Sequence, residues 1–107
     1  MALSSISPID GRYSSKTKAL SQYFSEYALI KYRITVEIKY LFEFSQNGSV
    51  VRKFTDDEIK YLTDMTNVTE KDAQIVKDIE TKGYGEIPAT NHDVKAVEYY
   101  IKLKLKD

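Results

Sequence analysis

The chain has 107 residues, 42% hydrophobic and 30% charged, with four glycines, two prolines, no cysteine and a formal net charge of zero. That is enough for one small domain burying about two-thirds of its unfolded surface, and it excludes a wholly disordered polypeptide, a disulfide scaffold and a thiolate metal site. Charge is uneven, with eight Lys/Arg against four Asp/Glu in residues 1–53, three against eight in 54–81 and five against four thereafter, yet no basic stripe suited to nucleic acid stands out.

The opening "MALSSISPIDGRYSS" has no basic segment followed by an apolar core, and no run approaches the ~20 apolar residues a membrane span requires. The expectation is a cytoplasmic protein, with which the lack of cysteine is compatible. Ser, Pro, Asp and Gly crowd residues 1–14, so "PIDGRY" is predicted as a loop.

From Ser25 to Gln46, Tyr27, Ile30, Ile34, Ile38 and Leu41 recur every three or four residues and predict the longest helix. The β-formers at 34–38 raise a strand as the alternative, but length and the absence of turn residues favour the helix. Asn47 and Gly48 supply its stop.

Two capping boxes follow, "TDDE" at Thr55–Glu58 and "TEKD" at Thr69–Asp72, the second expected to be weaker because Asp reaches back less well than Glu. They open two short helices with apolar stripes at Ile59, Leu62 and Met65, then at Ala73, Ile75, Val76 and Ile79, with Gly83 as a stop. "GYGEIPAT" reads as a loop, after which Val94, Val97, Ile101 and Leu105 space a last helix. Its pattern runs to the end of the sequence without a stop signal, as in a chain that has been cut. The fold class is all-α, a small domain of about four to five helices.

No phosphate-binding glycine loop, zinc-ligand spacing or nucleophile elbow is present, and one histidine without cysteine makes a transition-metal site improbable. In "TNHD", Thr90 or Asn91 suits an N-cap, and Asp93 complements the helix dipole, which leaves His92 incidental. Alternatively, amides at a helix start attract anions, and an imidazole suits acid or base work. By local chemistry alone, capping is favoured about two to one.

In "DGRY", Asp10 and Gly11 make a turn, while Arg12 offers a planar fork for phosphate or carboxylate. The nine tyrosines fit half-buried packing better than base stacking, because no basic stripe accompanies them.

Two segments together, "SPIDGRYSSKTKALSQYFSEYALIKYRITVEIKYL" (7–41) and "TNHDVKAVEYYIK" (90–102), resemble the opening of the adenylosuccinate lyase family, within the fumarase/aspartase superfamily. The middle, 42–89, is only loosely similar, and "KGYGEIPA" departs from the family pattern by intervening before "TNHD". The resemblance implies the N-terminal helical domain of a longer lyase, residues 1–107, with 1–14 as a substrate-binding loop and 90–93 as a substrate-contacting motif. It further implies a carbon–nitrogen lyase of purine and AMP biosynthesis that releases fumarate from adenylosuccinate and from a succinyl-carboxamide ribonucleotide. No metal or organic cofactor is implied, and no nucleic-acid or membrane partner.

Matched by position, Arg12 and Tyr13 correspond to a substrate-binding pair. Asn91, His92 and Asp93 correspond to a substrate-contacting triplet, with an assisting role for His92 in proton transfer. The principal catalytic histidine and serine of the family lie further along, in a homotetramer whose sites combine subunits, so this chain is expected to be inactive alone. The alternatives are a sibling lyase of the superfamily, such as an argininosuccinate lyase, and a non-enzymatic helical adaptor in which "TNHD" is only a cap.

Overall fold

A computed structural model describes residues 3–106. Two single helical turns, α1 (Ser14–Thr17) and α2 (Ser21–Phe24), flank a 3-10 turn at Lys18–Leu20, and four longer helices follow: α3 (Glu26–Asn47), α4 (Asp56–Met65), α5 (Glu70–Thr81) and α6 (Asp93–Lys104). The expected all-α domain is what forms. Among the described residues, no helix is long and apolar enough to cross a membrane.

α3 begins where Ser25, in extended conformation, accepts from the Ala28 amide through its hydroxyl, and it ends at Gly48 with a left-handed φ of 71°. These are the N-cap and C-terminal signals of an ordinary helix. The strand alternative at 34–38 fails on its own periodicity. A strand would place 34, 36 and 38 on one face, whereas Ile34 and Ile38 are buried and Val36 is 64% exposed.

The core gathers Ile30, Ile34 and Ile38 of α3, Leu62 of α4, Val68, Ala73, Val76 and Ile79 around and on α5, and Ala96, Val97 and Tyr100 of α6. α3 packs against α4, α5 and α6, and α5 lies along α6. On α6 the expected stripe holds at Val97, which is buried, and at Ile101, which packs against the core, but Val94 and Leu105 are exposed and Ala96 and Tyr100 go in instead. The small Ala96, fully buried, fills a position that the apolar spacing did not single out.

Both capping boxes close, including the one expected to be weaker. Thr69 accepts from the Asp72 amide at 3.1 Å while Asp72 Oδ2 accepts from the Thr69 amide at 3.0 Å. In the first, Glu58 accepts from the Thr55 amide at 2.9 Å and also receives the Arg52 guanidinium through two bonds of 2.9 and 2.7 Å. The Arg52 bonds, followed by that amide, pull the Glu58 carboxyl from its ordinary 4.5 to about 2. Between α3 and α4, the buried Ser45 hydroxyl donates to the Arg52 carbonyl and accepts from the Phe54 amide, tying down the connection.

The radius of gyration is 17.0 Å and the extents are 55 × 30 × 19 Å, against about 13 Å for a compact chain of this length. α1, the 3-10 turn and α2 bury no residue, and Leu3, Ile6, Leu20, Tyr23 and Phe24 stay at least half exposed. A second apolar stripe on α3, Leu29, Tyr32, Val36 and Tyr40, also faces outward.

Ile34→Ala should lower the unfolding free energy in urea by about 3 kcal/mol, and Val36→Ala by less than about 0.5 kcal/mol. Equal losses would contradict the helical register. Because folding depresses the Glu58 carboxyl, its contribution is present above the unfolded value of 4.5 and disappears as pH falls toward 2. Glu58→Gln should therefore flatten the fall of melting temperature across that interval, measured by circular dichroism at stepped pH.

Candidate functional site

Residues 90–93 are built onto the end of α5. The last four carbonyls of a helix lack partners within it. Here the Lys82 and Gly83 amides both donate to the Asp78 carbonyl, Thr90 donates to Ile79 at 3.0 Å, and Asn91 donates to Glu80 at 2.8 Å. The expected "GYGEIPAT" loop (83–90) contains a tight reversal in which Tyr84 and Ile87 exchange backbone hydrogen bonds of 2.9 Å. Gly83 has φ 91°, and a Cβ there would lie 2.7 Å from the Ile87 carbonyl oxygen, so glycine is required. The reversal brings 90–91 back over the helix end it has just left.

Asn91 takes a left-handed φ of 53°, a conformation Asn tolerates better than most residues. It is not the helix cap, and neither is Thr90, whose hydroxyl donates to the His92 carbonyl at 2.9 Å. The N-cap of α6 is His92 itself, in extended conformation, with Nδ1 accepting from the Lys95 amide at 3.2 Å. A ring that accepts at Nδ1 carries its proton on Nε2 when neutral. The side chain is 66% exposed, and Nε2 has no partner among the described residues, so it stands as an outward N–H donor.

Asp93 does not orient the imidazole, since its carboxylate lies 3.9 Å from Nδ1. Oδ1 instead accepts from the Val94 amide at 2.9 Å, and Oδ2 pairs with Arg33 of α3 at 2.8 Å. The Arg33 bond first, and then the Val94 amide, hold the Asp93 carboxyl below its ordinary value.

The "DGRY" loop is folded separately. Asp10 accepts from the Ser7 amide at 2.8 Å and the Ile6 amide at 3.3 Å, and Tyr13 donates its backbone N–H to Pro8 at 2.8 Å around a buried Gly11. These amide bonds, Ser7 foremost, lower the Asp10 carboxyl. Arg12 lies over the Tyr13 ring at 4.8 Å and donates to its hydroxyl at 2.8 Å. Both side chains are exposed, and among the described residues no hydrogen bond or ion pair joins this loop to 90–93. The structure thus unites Asn91, His92 and Asp93 at one helix start, pairs Arg12 with Tyr13, and leaves the two groups apart. Among the described residues, no group of three or more His, Cys, Asp or Glu side chains gathers as for a metal ion.

Two site features escaped sequence reasoning. Arg33 lies 60 residues from Asp93, and nothing in the pattern of a long helix marks it as a partner. His92 as a cap had a usable signal, its place directly before the first helical residue, but the usual cap set of Ser, Thr, Asp and Asn points to its neighbours.

His92→Ala should destabilise the chain by about 1 kcal/mol in urea, and His92→Asn should recover most of that, because its side-chain oxygen can accept the same amide. Equal losses in the two variants would remove the cap from the account.

A search against family models gave no match. Individual proteins do match nearly end to end. The chain is 46% identical to an adenylosuccinate lyase of Legionella pneumophila (strain Corby) over 99% of its length. It is 49% identical to that of Dictyostelium discoideum over 96%, and 40% identical to that of Escherichia coli K12 over 99%. In each comparison it spans 22% of the relative's length. With such matches running over 96–99% of its length, this chain belongs to the adenylosuccinate lyase family, as a segment corresponding to about a fifth of those proteins.

Proposed function

We propose that this chain supplies substrate-binding groups to an adenylosuccinate lyase, which releases fumarate from adenylosuccinate to leave AMP and performs the same elimination on a succinyl-carboxamide ribonucleotide. The observation that carries this is the near end-to-end identity with proteins of that name. It also weighs against a non-enzymatic adaptor, for which no such match would be required.

The elimination removes a proton from the carbon beside a carboxylate, forms the fumarate double bond as the carbon–nitrogen bond breaks, and returns a proton to the leaving nitrogen. It needs a base, an acid, and cations for phosphate and carboxylates. Arg12, stacked on Tyr13, suits the phosphate end as a forked cation. The outward Nε2–H of His92 suits a substrate oxygen or an assisting proton transfer, and Asn91 directly precedes it in the chain. The principal acid and base lie outside this chain, so the active form is a longer polypeptide, and a cytoplasmic homotetramer is the assembly the family reading carries with it. The substrate-contacting assignments of Arg12, Tyr13, Asn91, His92 and Asp93 belong to the same proposal.

Fumarate release, followed by ultraviolet absorbance, should be undetectable for residues 1–107 alone and present for the longer polypeptide that contains them. In that polypeptide His92→Asn keeps a capping oxygen but loses the imidazole, and turnover should fall by about a hundredfold. Wild-type turnover in His92→Asn would defeat the role given to His92, and release by the 107-residue chain alone would defeat its expected inactivity.

A further inference from the structure

His92 sits between two clamps of different origin. On one side, Thr90 and Asn91 are hydrogen bonded through their backbone to the carbonyls of Ile79 and Glu80 at the end of α5. On the other, Asp93 is held by Arg33 from the third helix at 2.8 Å. We infer that Arg33 is a positioning residue, which through Asp93 sets the start of α6 and so holds the His92 ring with Nδ1 on the Lys95 amide and Nε2–H facing outward.

The geometry allows few other ways to fix the ring. The His92 side chain is mostly exposed, so core packing does not immobilise it, and the one hydrogen bond its ring makes among the described residues runs to the Lys95 amide within the same helix start. That bond requires the first turn of α6 to lie where the imidazole can reach it. The turn is in turn referenced to Asp93, whose carboxylate spends one oxygen on the Val94 amide and the other on Arg33.

Arg33 is well suited to the task. It projects from the helix that also carries the buried Ile30 and Ile34, and its own side chain is 27% exposed. It is therefore anchored by the core at its base and partly screened from water at its tip. A planar guanidinium also fixes the direction of the carboxylate it holds, which an ammonium does less well. With one oxygen on the Val94 amide and the other on Arg33, Asp93 also fixes the backbone position of the site, and the loss of Arg33 should act through Asp93.

The only histidine in the chain gives one imidazole to observe. Long-range proton–nitrogen correlation spectra of residues 1–107 should show the Nε2–H tautomer. Arg33→Gln should mix the two tautomers and speed hydrogen exchange of the Lys95 amide by about tenfold, with the Val76 and Ile79 amides reporting an intact core. Arg33→Lys, which keeps the charge but not the planar fork, should recover only part of the effect. An unchanged tautomer and Lys95 exchange in Arg33→Gln overturns the inference, and so does a core that loosens equally in Arg33→Gln and Arg33→Lys.

The catalytic consequence rests on the lyase reading. In the longer polypeptide Arg33→Gln should lower kcat about tenfold, with the Arg33→Gln/Asp93→Asn double variant no worse than Asp93→Asn alone. Additive losses overturn the path through Asp93. Failure of the lyase reading would show separately, as no fumarate release by the wild-type longer polypeptide beside a disturbed imidazole in Arg33→Gln.

Discussion

Everything in this fold is referenced to one long helix. α3 buries Ile30, Ile34 and Ile38 along a single face, and burial of one such side chain is worth roughly 1.5–3 kcal/mol relative to exposure. The three shorter helices pack on that face. None of them, at 10 to 12 residues, is long enough to persist in water unaided. The same helix then sends Arg33 to the start of α6, so the element that organises the core also reaches the candidate site.

The candidate site is an exchange between two helix ends. The unpaired carbonyls closing α5 accept amides from the residues that precede α6, and the unpaired amides opening α6 are met by the His92 ring and the Asp93 carboxylate. Structure and chemistry are therefore not competing explanations for "TNHD". His92 caps through one ring nitrogen and presents the other outward, and a group held that way meets a ligand with little ordering left to do.

The molecule also leaves much apolar surface uncovered. The N-terminal arm from Leu3 to Phe24 and the outer stripe of α3 expose residues that a self-sufficient domain would bury. Arg12 and Tyr13 lie on this arm, apart from the "TNHD" segment. The chain spans 22% of the length of its relatives.

Much of this was legible in the sequence because it is local. Helix periodicity placed α3 to within a residue at each end, and the Thr55 and Thr69 boxes and the Gly48 and Gly83 stops depend on neighbours three to five positions away. The motif resemblance through "DGRY" and "TNHD" pointed to the family that the end-to-end identities then established. What only the tertiary structure decided depends on which surfaces meet. The face α6 buries was set by its packing between α3 and α5, which drew in Ala96 and Tyr100 and left Val94 outside. Asp93 turned to Arg33 and not to its neighbour His92, and the cap passed from Thr90 or Asn91 to His92, because the amides of Thr90 and Asn91 were taken by the end of α5. Those choices join residues far apart along the chain, so no periodicity or local spacing encodes them.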